Sequence, residues 1–287
     1  MLRVKNLWFS YNGRRVLRGV SFDFNEGVGC LLGPNGAGKS TLMKCIAGIL
    51  KGEGKVTLDG RDVLKMPERE RAKLISYSPQ EFSVSFPYTV FEVVLMGRNP
   101  YVNPLRGPGE EDEELAWKSL EVLGLAELAE RPFTELSGGQ KRLVMLARSI
   151  AQGGRLLLFD EPTSFLDFRN QHVVLSAIRE LRRGRLILVS LHDPNQAMAF
   201  CDSVFLLRSG SIFVSGRPQK VLTPENLSRL YKMPVEVIEV AGRRVIVPGA
   251  NKSVLLQTML LTESVIKLDA KSLEVVECCS GESSAKL

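Results

Sequence analysis

The chain has 287 residues, 44% of them hydrophobic and 24% charged, with 38 Lys and Arg against 32 Asp and Glu for a net charge of +6. That composition supports an ordinary globular protein, either one large domain or one domain with a small appendage, and it excludes a spanning helix, because no run approaches the about 20 apolar residues one needs. The N-terminus "MLRVKNLWFSY" lacks the apolar core and cleavage site of a secretory leader, so the expectation is a cytosolic protein. The positive charge invites a nucleic-acid reading, yet Lys and Arg are spread along the chain and dense only in "RELRRGR" (179–185), which reads as a solvated helix face.

In chain order, the residues near the N-terminus read as strand, turn, strand, and "GVGCLL" (27–32) as a buried strand. Residues 54–63 read as a hairpin with Asp59-Gly60 at its turn, and "KLISYS" (73–78) as a further strand. Between about 85 and 150 the texture changes to a helical insert. Its Pro- and Gly-punctuated front leads to Leu115, Leu120, Leu123, Leu125 and Leu128 at roughly helical spacing, and the acidic run Glu110–Glu114 suits a first helical turn. "RLLLFD" (155–160), "RLILVS" (185–190) and "SVFLLR" (203–208) are continuously apolar, as strands covered on both faces of a parallel sheet are. Ser209-Gly210 predicts a hairpin turn, and Thr223 with Pro224 the N-cap and first residue of a short helix. Beyond about 234 the chain reads as more hairpins, with turns near "AGRR" and "DAKS", and a polar tail. The fold class is α/β, a parallel core accompanied by antiparallel strands.

Five cysteines, Cys30, Cys45, Cys201, Cys278 and Cys279, contain no CxxC pair and read as small hydrophobes in a reducing compartment. The adjacent Cys278 and Cys279 have no His or further Cys nearby to complete a metal site.

Three motifs carry chemistry. "GPNGAGKST" (33–41) fits GxxxxGKS between a predicted strand and an apolar helix, the context in which backbone N–H groups and a helix N-terminus surround nucleotide phosphates. Lys39 then reaches the β and γ phosphates and Ser40 ligates magnesium. "RLLLFDEP" (155–162) delivers Asp160 and Glu161 at the carboxyl end of a strand, suited to the metal and to a general base, though a carboxylate pair there is weak evidence by itself. "LSGGQ" (136–140) opens an apolar-rich helix that stops at Gly153. Ser137 is a natural N-cap, and Gly138 and Gly139 in a first turn lower helix stability, as either a flexible start or a helix end stripped for an anion would have it.

With Tyr11 in "SYNGRRVL", Gln80 in "YSPQ", "SFLD" (164–167) and His192 in "LVSLHDP", the ordered set resembles the ATP-binding-cassette ATPases over about residues 1–240. The resemblance implies a P-loop cassette with a mixed sheet core, an antiparallel β subdomain and a helical subdomain at about 85–150, followed by a small β-rich extension from 241 to 287. It implies that ATP and Mg2+ are bound. Tyr11 would stack on adenine with Val16 near it. Gly33, Pro34, Asn35, Gly36, Ala37, Gly38, Lys39, Ser40 and Thr41 would hold the phosphates, and Ser40, Gln80 and Asp160 the metal. Glu161 would be the base, with Gln80 bridging metal and water and His192 at the γ phosphate; His172 reads as an ordinary helix residue. Ser137, Gly138, Gly139 and Gln140 would face the ATP of a second copy, with Asp167 of the "SFLD" loop at the junction, so that a homodimer makes two sites.

"SFPYTVFEVVLMGRNPY", "LDFRNQ" and "SLHDPN" look like the ATPase subunits of importers for ferric siderophores, haem, cobalamin or related metal oxyanions. Such a subunit works at the cytoplasmic face of the membrane with permease subunits, which the apolar run Phe82–Val94 is suited to meet, and with an external substrate-binding protein. No nucleic-acid partner is expected. The competing readings are a soluble cassette ATPase acting on nucleic acid or ribosomes and a non-hydrolytic ATP-binding module.

Overall fold

A computed structural model describes residues 1–80 and 86–249. The hairpin of β1 (Leu2–Tyr11) and β2 (Arg14–Phe24) is followed by β3 (Gly27–Leu32), which turns into α1 (Lys39–Ile46). A second hairpin, β4 (Glu53–Leu58) and β5 (Arg61–Asp62), leads through α2 (Glu68–Leu74) to β6 (Ile75–Ser78). Three helices form the insert: α3 (Val90–Leu95), α4 (Glu110–Val122) and α5 (Gly138–Gln152). Strands and helices then alternate: β7 (Leu156–Phe159), α6 (Phe168–Glu180), β8 (Leu186–Leu191), α7 (Pro194–Phe200) and β9 (Ser203–Arg208). The described chain ends with β10 (Ser211–Gly216), α8 (Pro218–Val221), α9 (Pro224–Tyr231), β11 (Val235–Val240) and β12 (Arg243–Pro248).

The central sheet has the order β10-β9-β3-β8-β7-β6, with β9, β3, β8, β7 and β6 parallel and β10 antiparallel at the edge. Alternation of side chains divides its strands between two cores. Leu156, Leu158, Leu186 and Leu188 pack with Leu42 and Met43 of α1 on one face, and Leu157, Phe159, Ile187 and Val189 pack with Val174 and Leu175 of α6 on the other. The four-stranded antiparallel sheet β2-β1-β4-β5 closes the first core. Cys30 and Cys45 lie in these cores; burial pushes the Cys45 thiol up to about 12 and Cys30 well above its ordinary value, so both stay protonated at neutral pH.

Turn chemistry accounts for the hairpins. Asn12-Gly13, Asp59-Gly60, Ser209-Gly210 and Ala241-Gly242 each place two residues at positive φ, the torsion pair that suits the twist of the strands they join. Thr223 caps α9 by accepting from Asn226 N–H, and Thr89 and Glu92 make a reciprocal capping box at α3.

The structure shortens two predicted elements. Lys73 and Leu74 belong to α2, which runs directly into β6, so the strand begins at Ile75. In the insert, α4 stops at Val122, because Gly124 takes φ 66 and Leu125 N–H returns to the Leu120 carbonyl. Leu125 is nevertheless buried in the insert's own core with Val93, Leu120 and Val144. The hairpin β11–β12 straddles residue 240, and Asn195 of α7 clasps it by accepting from Ile246 N–H and donating to its carbonyl. Residues 82–85, the turn at "DAKS", Cys278 and Cys279 lie outside the described residues. Among the described residues no helix is long and apolar enough to cross a membrane.

One charged pair ties the insert together. Arg98, 7% exposed, donates to Asp112 at 2.9 Å and to the Ala151 carbonyl at 2.8 Å, with Tyr101 stacked at 3.9 Å. Asp112 thereby has a specific partner that a general preference for acidic first turns does not supply. Arg98→Ala leaves the half-buried Asp112 carboxylate without its cation and the Ala151 carbonyl without its donor, and a loss of about 3 kcal/mol is expected in urea unfolding; an unchanged midpoint would show the pair to be dispensable.

Candidate nucleotide site

Four parallel strands end at one edge of the sheet, and each hands over to a residue that the sequence singled out. β3 turns through residues 33–38 into α1, β6 ends just before Gln80, β7 leads to Asp160 and Glu161, and β8 leads to His192. This carboxyl edge is where open α/β sheets hold ligands. A groove of about 1130 Å³ opens there, lined by Asn35, Gly36, Gly38, Lys39, Ser40 and Thr41 from the glycine loop. Tyr11, Val16, Gln80, Glu161 and His192 complete the predicted part of its wall.

The glycines of the loop have different reasons. A Cβ on Gly33 would lie 2.3 Å from the Leu207 carbonyl oxygen of β9, so packing against the sheet excludes a side chain there. Gly36 and Gly38 adopt φ +76 and +104, torsions that L residues avoid, and so turn the backbone around the start of α1. Lys39, 5% exposed, folds back over the loop and donates to the Gly33 carbonyl at 2.9 Å. Its Nζ also lies 3.7 Å from Glu161 Oε1. Burial pushes the Lys39 ammonium down, and Glu161 and Asp160 oppose that by favouring its charge.

Strand register assembles the acidic half. Phe159 stands opposite Val189, so the next residues, Asp160 and Ser190, are neighbours. Ser190 Oγ donates to Asp160 Oδ1 at 2.7 Å and accepts from Glu161 N–H at 2.8 Å. Tyr77 donates to the other Asp160 oxygen at 3.1 Å, its phenol pushed up by burial and by that carboxylate. Glu161 has φ 50, rare for a residue with a side chain, and such torsions persist where surrounding bonds hold them. Its Oε1 lies 2.7 Å from His192 Nε2, and its Oε2 accepts from Ser164. The arrangement can accept a proton at Glu161, present positive charge from Lys39 and the α1 N-terminus to an anion, and offer the His192 imidazole as a hydrogen-bonding partner beside them.

The signature residues stand elsewhere. Ser137 and Gln140 form a capping box at α5, with Ser137 Oγ accepting from Gln140 N–H and Gln140 Oε1 accepting from Ser137 N–H. A Cβ on Gly139 would come 2.8 Å from Asn170 of α6, so close packing accounts for one glycine, whereas Gly138 is exposed with only Leu166 nearby. Asp167 caps α6 through Asn170 N–H. Neither Asp167, the residues 137–140 nor the half-buried Pro34 line the groove of their own chain, and Gly33, Ala37 and Asp160 are buried beneath it.

The groove also contains residues that sequence reasoning missed. Arg14, Arg15 and Arg18 come from β2 beside Tyr11, and Ser209 and Gly210 from the β9–β10 turn. The run "GRRVLR" after the Tyr11 turn was the available signal for the arginines. Phe165, 89% exposed at φ 63, also lines the groove; it stands inside "SFLD" but was not singled out there.

The residues present suit magnesium. Asp160 and Glu161, 2% and 7% exposed, outnumber the one buried ammonium, and the hydroxyl of Ser40, the carboxamide of Gln80 and the Asp160 carboxylate are hard oxygen donors of the kind that shares Mg2+ with substrate phosphates. Among the described residues no group of three or more His, Cys, Asp or Glu gathers as a protein-only metal site.

Comparison with known proteins agrees with this geometry. The family model for ABC transporters matches residues 17–164. The hemin import ATP-binding protein of Streptomyces coelicolor is 45% identical over 228 residues, covering 78% of this chain and 81% of that one. The molybdate import ATP-binding protein of Haemophilus influenzae is 38% identical over 239 residues, with 82% and 89% covered. Among solved structures, an inward-facing metal-chelate type ABC transporter superposes with a TM-score of 0.76 at 35% identity, covering 87% of this chain and 97% of that one. The chain therefore belongs to the ABC transporter family, as an ATP-binding subunit that hydrolyses ATP.

Proposed function

We propose that the chain is the ATPase subunit of an importer for a metal chelate, working as a homodimer on the cytoplasmic face of a membrane with permease subunits and an external substrate-binding protein. The substrate class is supported by the likeness to a hemin import protein over 78% of the chain and by the metal-chelate type transporter among its structural relatives. The likeness to a molybdate import protein keeps metal oxyanions as the competing cargo.

In this reading Tyr11, 45% exposed at the groove, stacks on adenine with Val16 beside it, and residues 33–41 hold the phosphates. Lys39 exchanges part of its carbonyl and carboxylate contacts for phosphate oxygens, and Arg14, Arg15 and Arg18 add positive charge at the rim. Ser40, Gln80 and Asp160 would hold magnesium, which when bound offsets phosphate charge and orients the terminal phosphoryl group. Glu161 takes the proton of the attacking water, with Ser190 fixing its backbone and His192 its carboxylate.

The dimer is supported by one observation above others: the helix end at Ser137 and Gly138 is exposed and stands outside the groove of its own chain. A second copy, related by two-fold symmetry, would bring that end to the first copy's ATP, with Asp167 and its neighbours at the junction.

Glu161→Gln keeps the shape of the groove and removes the base, so MgATP binding is expected to persist while turnover falls by about 10² to 10⁴. The same variant is expected to elute as a dimer with MgATP and as a monomer without it; turnover at the parent rate would remove Glu161 from the chemistry. Ser137→Arg is expected to abolish hydrolysis but leave the isolated chain's affinity for ATP unchanged, whereas weakened binding in the monomer would place the signature in cis. For the cargo, the complex purified from its own membrane and reconstituted in vesicles is expected to take up haem or a ferric chelate with ATP; uptake of molybdate alone would select the oxyanion class.

A further inference from the structure

A second groove lies at the opposite ends of the same strands. β3, β7, β8 and β9 begin at Gly27, Leu156, Leu186 and Ser203, and beside those amino-terminal ends opens a concavity of about 940 Å³. Six arginines line it, Arg155, Arg179, Arg182, Arg183, Arg185 and Arg217, against the carboxylates of Glu26 and Asp202. A strand of six residues spans roughly 20 Å, so the body of the sheet separates this groove from the nucleotide site.

Ordinary structural roles account for some of these arginines. Arg155 donates to Asp59 at 3.0 Å and to the Gly184 carbonyl at 2.7 Å, and Arg179 sits in the last turn of α6, where the helix dipole favours a cation. Arg182 lies 3.8 Å from Asp202 Oδ1, while Asp202 Oδ2 accepts from Val28 N–H. Arg183, Arg185 and Arg217 have no carboxylate at ion-pair distance among the described residues. The dense run at 179–185 reads in sequence as a solvated face, yet the fold adds Arg155 from before β7 and Arg217 from the α8 cap to the same hollow. Guanidinium groups gathered in a concavity repel one another and focus positive potential. Each offers a planar fork of donors matched to phosphate oxygens.

We propose that this groove binds a compact anion carrying several phosphates. The assignment is independent of the importer reading, because no residue of the nucleotide groove contributes to it.

The test titrates inorganic tripolyphosphate into the full chain by calorimetry, once in a Lys39→Ala background and once in the parent chain saturated with MgADP, so that the glycine loop does not report. One tight site is expected in both, weakening as salt rises. Arg179, Arg183 and Arg217 are exposed and make no ion pair among the described residues, so their combined replacement by Ala is expected to lower the thermal midpoint by no more than the helix-dipole share of Arg179 and to leave MgATP turnover unchanged. Affinity for tripolyphosphate should drop by about tenfold per arginine removed. Vesicles containing cardiolipin, compared with phosphatidylcholine vesicles, identify the source: capture by cardiolipin alone, lost in the triple variant, makes a lipid headgroup the phosphate donor, and binding of free tripolyphosphate makes it a soluble anion. Binding of neither, equal affinity in the triple variant, or binding of single-stranded RNA with no response to tripolyphosphate or cardiolipin overturns the proposal.

Discussion

The nucleotide end of this protein depends on a knot of buried charge, Lys39 against Glu161 with Asp160 beside them. Taking these groups out of water is expensive unless each keeps polar partners. Lys39 has the Gly33 carbonyl, Asp160 has the hydroxyls of Ser190 and Tyr77, and Glu161 has His192 and Ser164. All of those partners are delivered by the carboxyl ends of adjacent strands or the loops that follow them, so a shift in the pairing of β7 and β8 would separate Ser190 from Asp160 and strand a charge. The sheet register and the chemistry are one constraint.

The same economy shows at the start of the signature helix. Its Ser137 and Gln140 satisfy each other's backbone N–H groups, and Gly139 lets α5 close on Asn170 of α6. The helix end is thus set at its place relative to the Asp167 cap by contacts within one chain.

The two ends of the parallel strands contrast in how they treat charge. At the carboxyl ends, buried groups of both signs are interlocked by short hydrogen bonds. At the amino-terminal ends, six arginines gather against two carboxylates, which leaves donors of Arg183, Arg185 and Arg217 available to solvent or to an anion.

Much of the site was legible in the sequence because its signals are local. Gly36 and Gly38 mark torsions, the apolar run before Asp160 marks a doubly covered strand, Ser137 and Thr223 mark helix starts, and Asp59-Gly60 marks a hairpin turn. The stop of α4 at Val122 and the start of β6 at Ile75 differ from the sequence reading, because a helix running on by a turn or entering a strand directly keeps the same apolar spacing. What only tertiary structure decided is which distant residues meet: Ser190 with Asp160, Arg98 with Asp112, the arginines of β2 with the glycine loop, and Arg155 and Arg217 with the run at 179–185. The sequence by itself determined the turn torsions at its glycines, the faces of helices and the glycine loop. Strand order and register determined the pairs of charges, because those pairs form across the sheet, between segments that no sequence periodicity links.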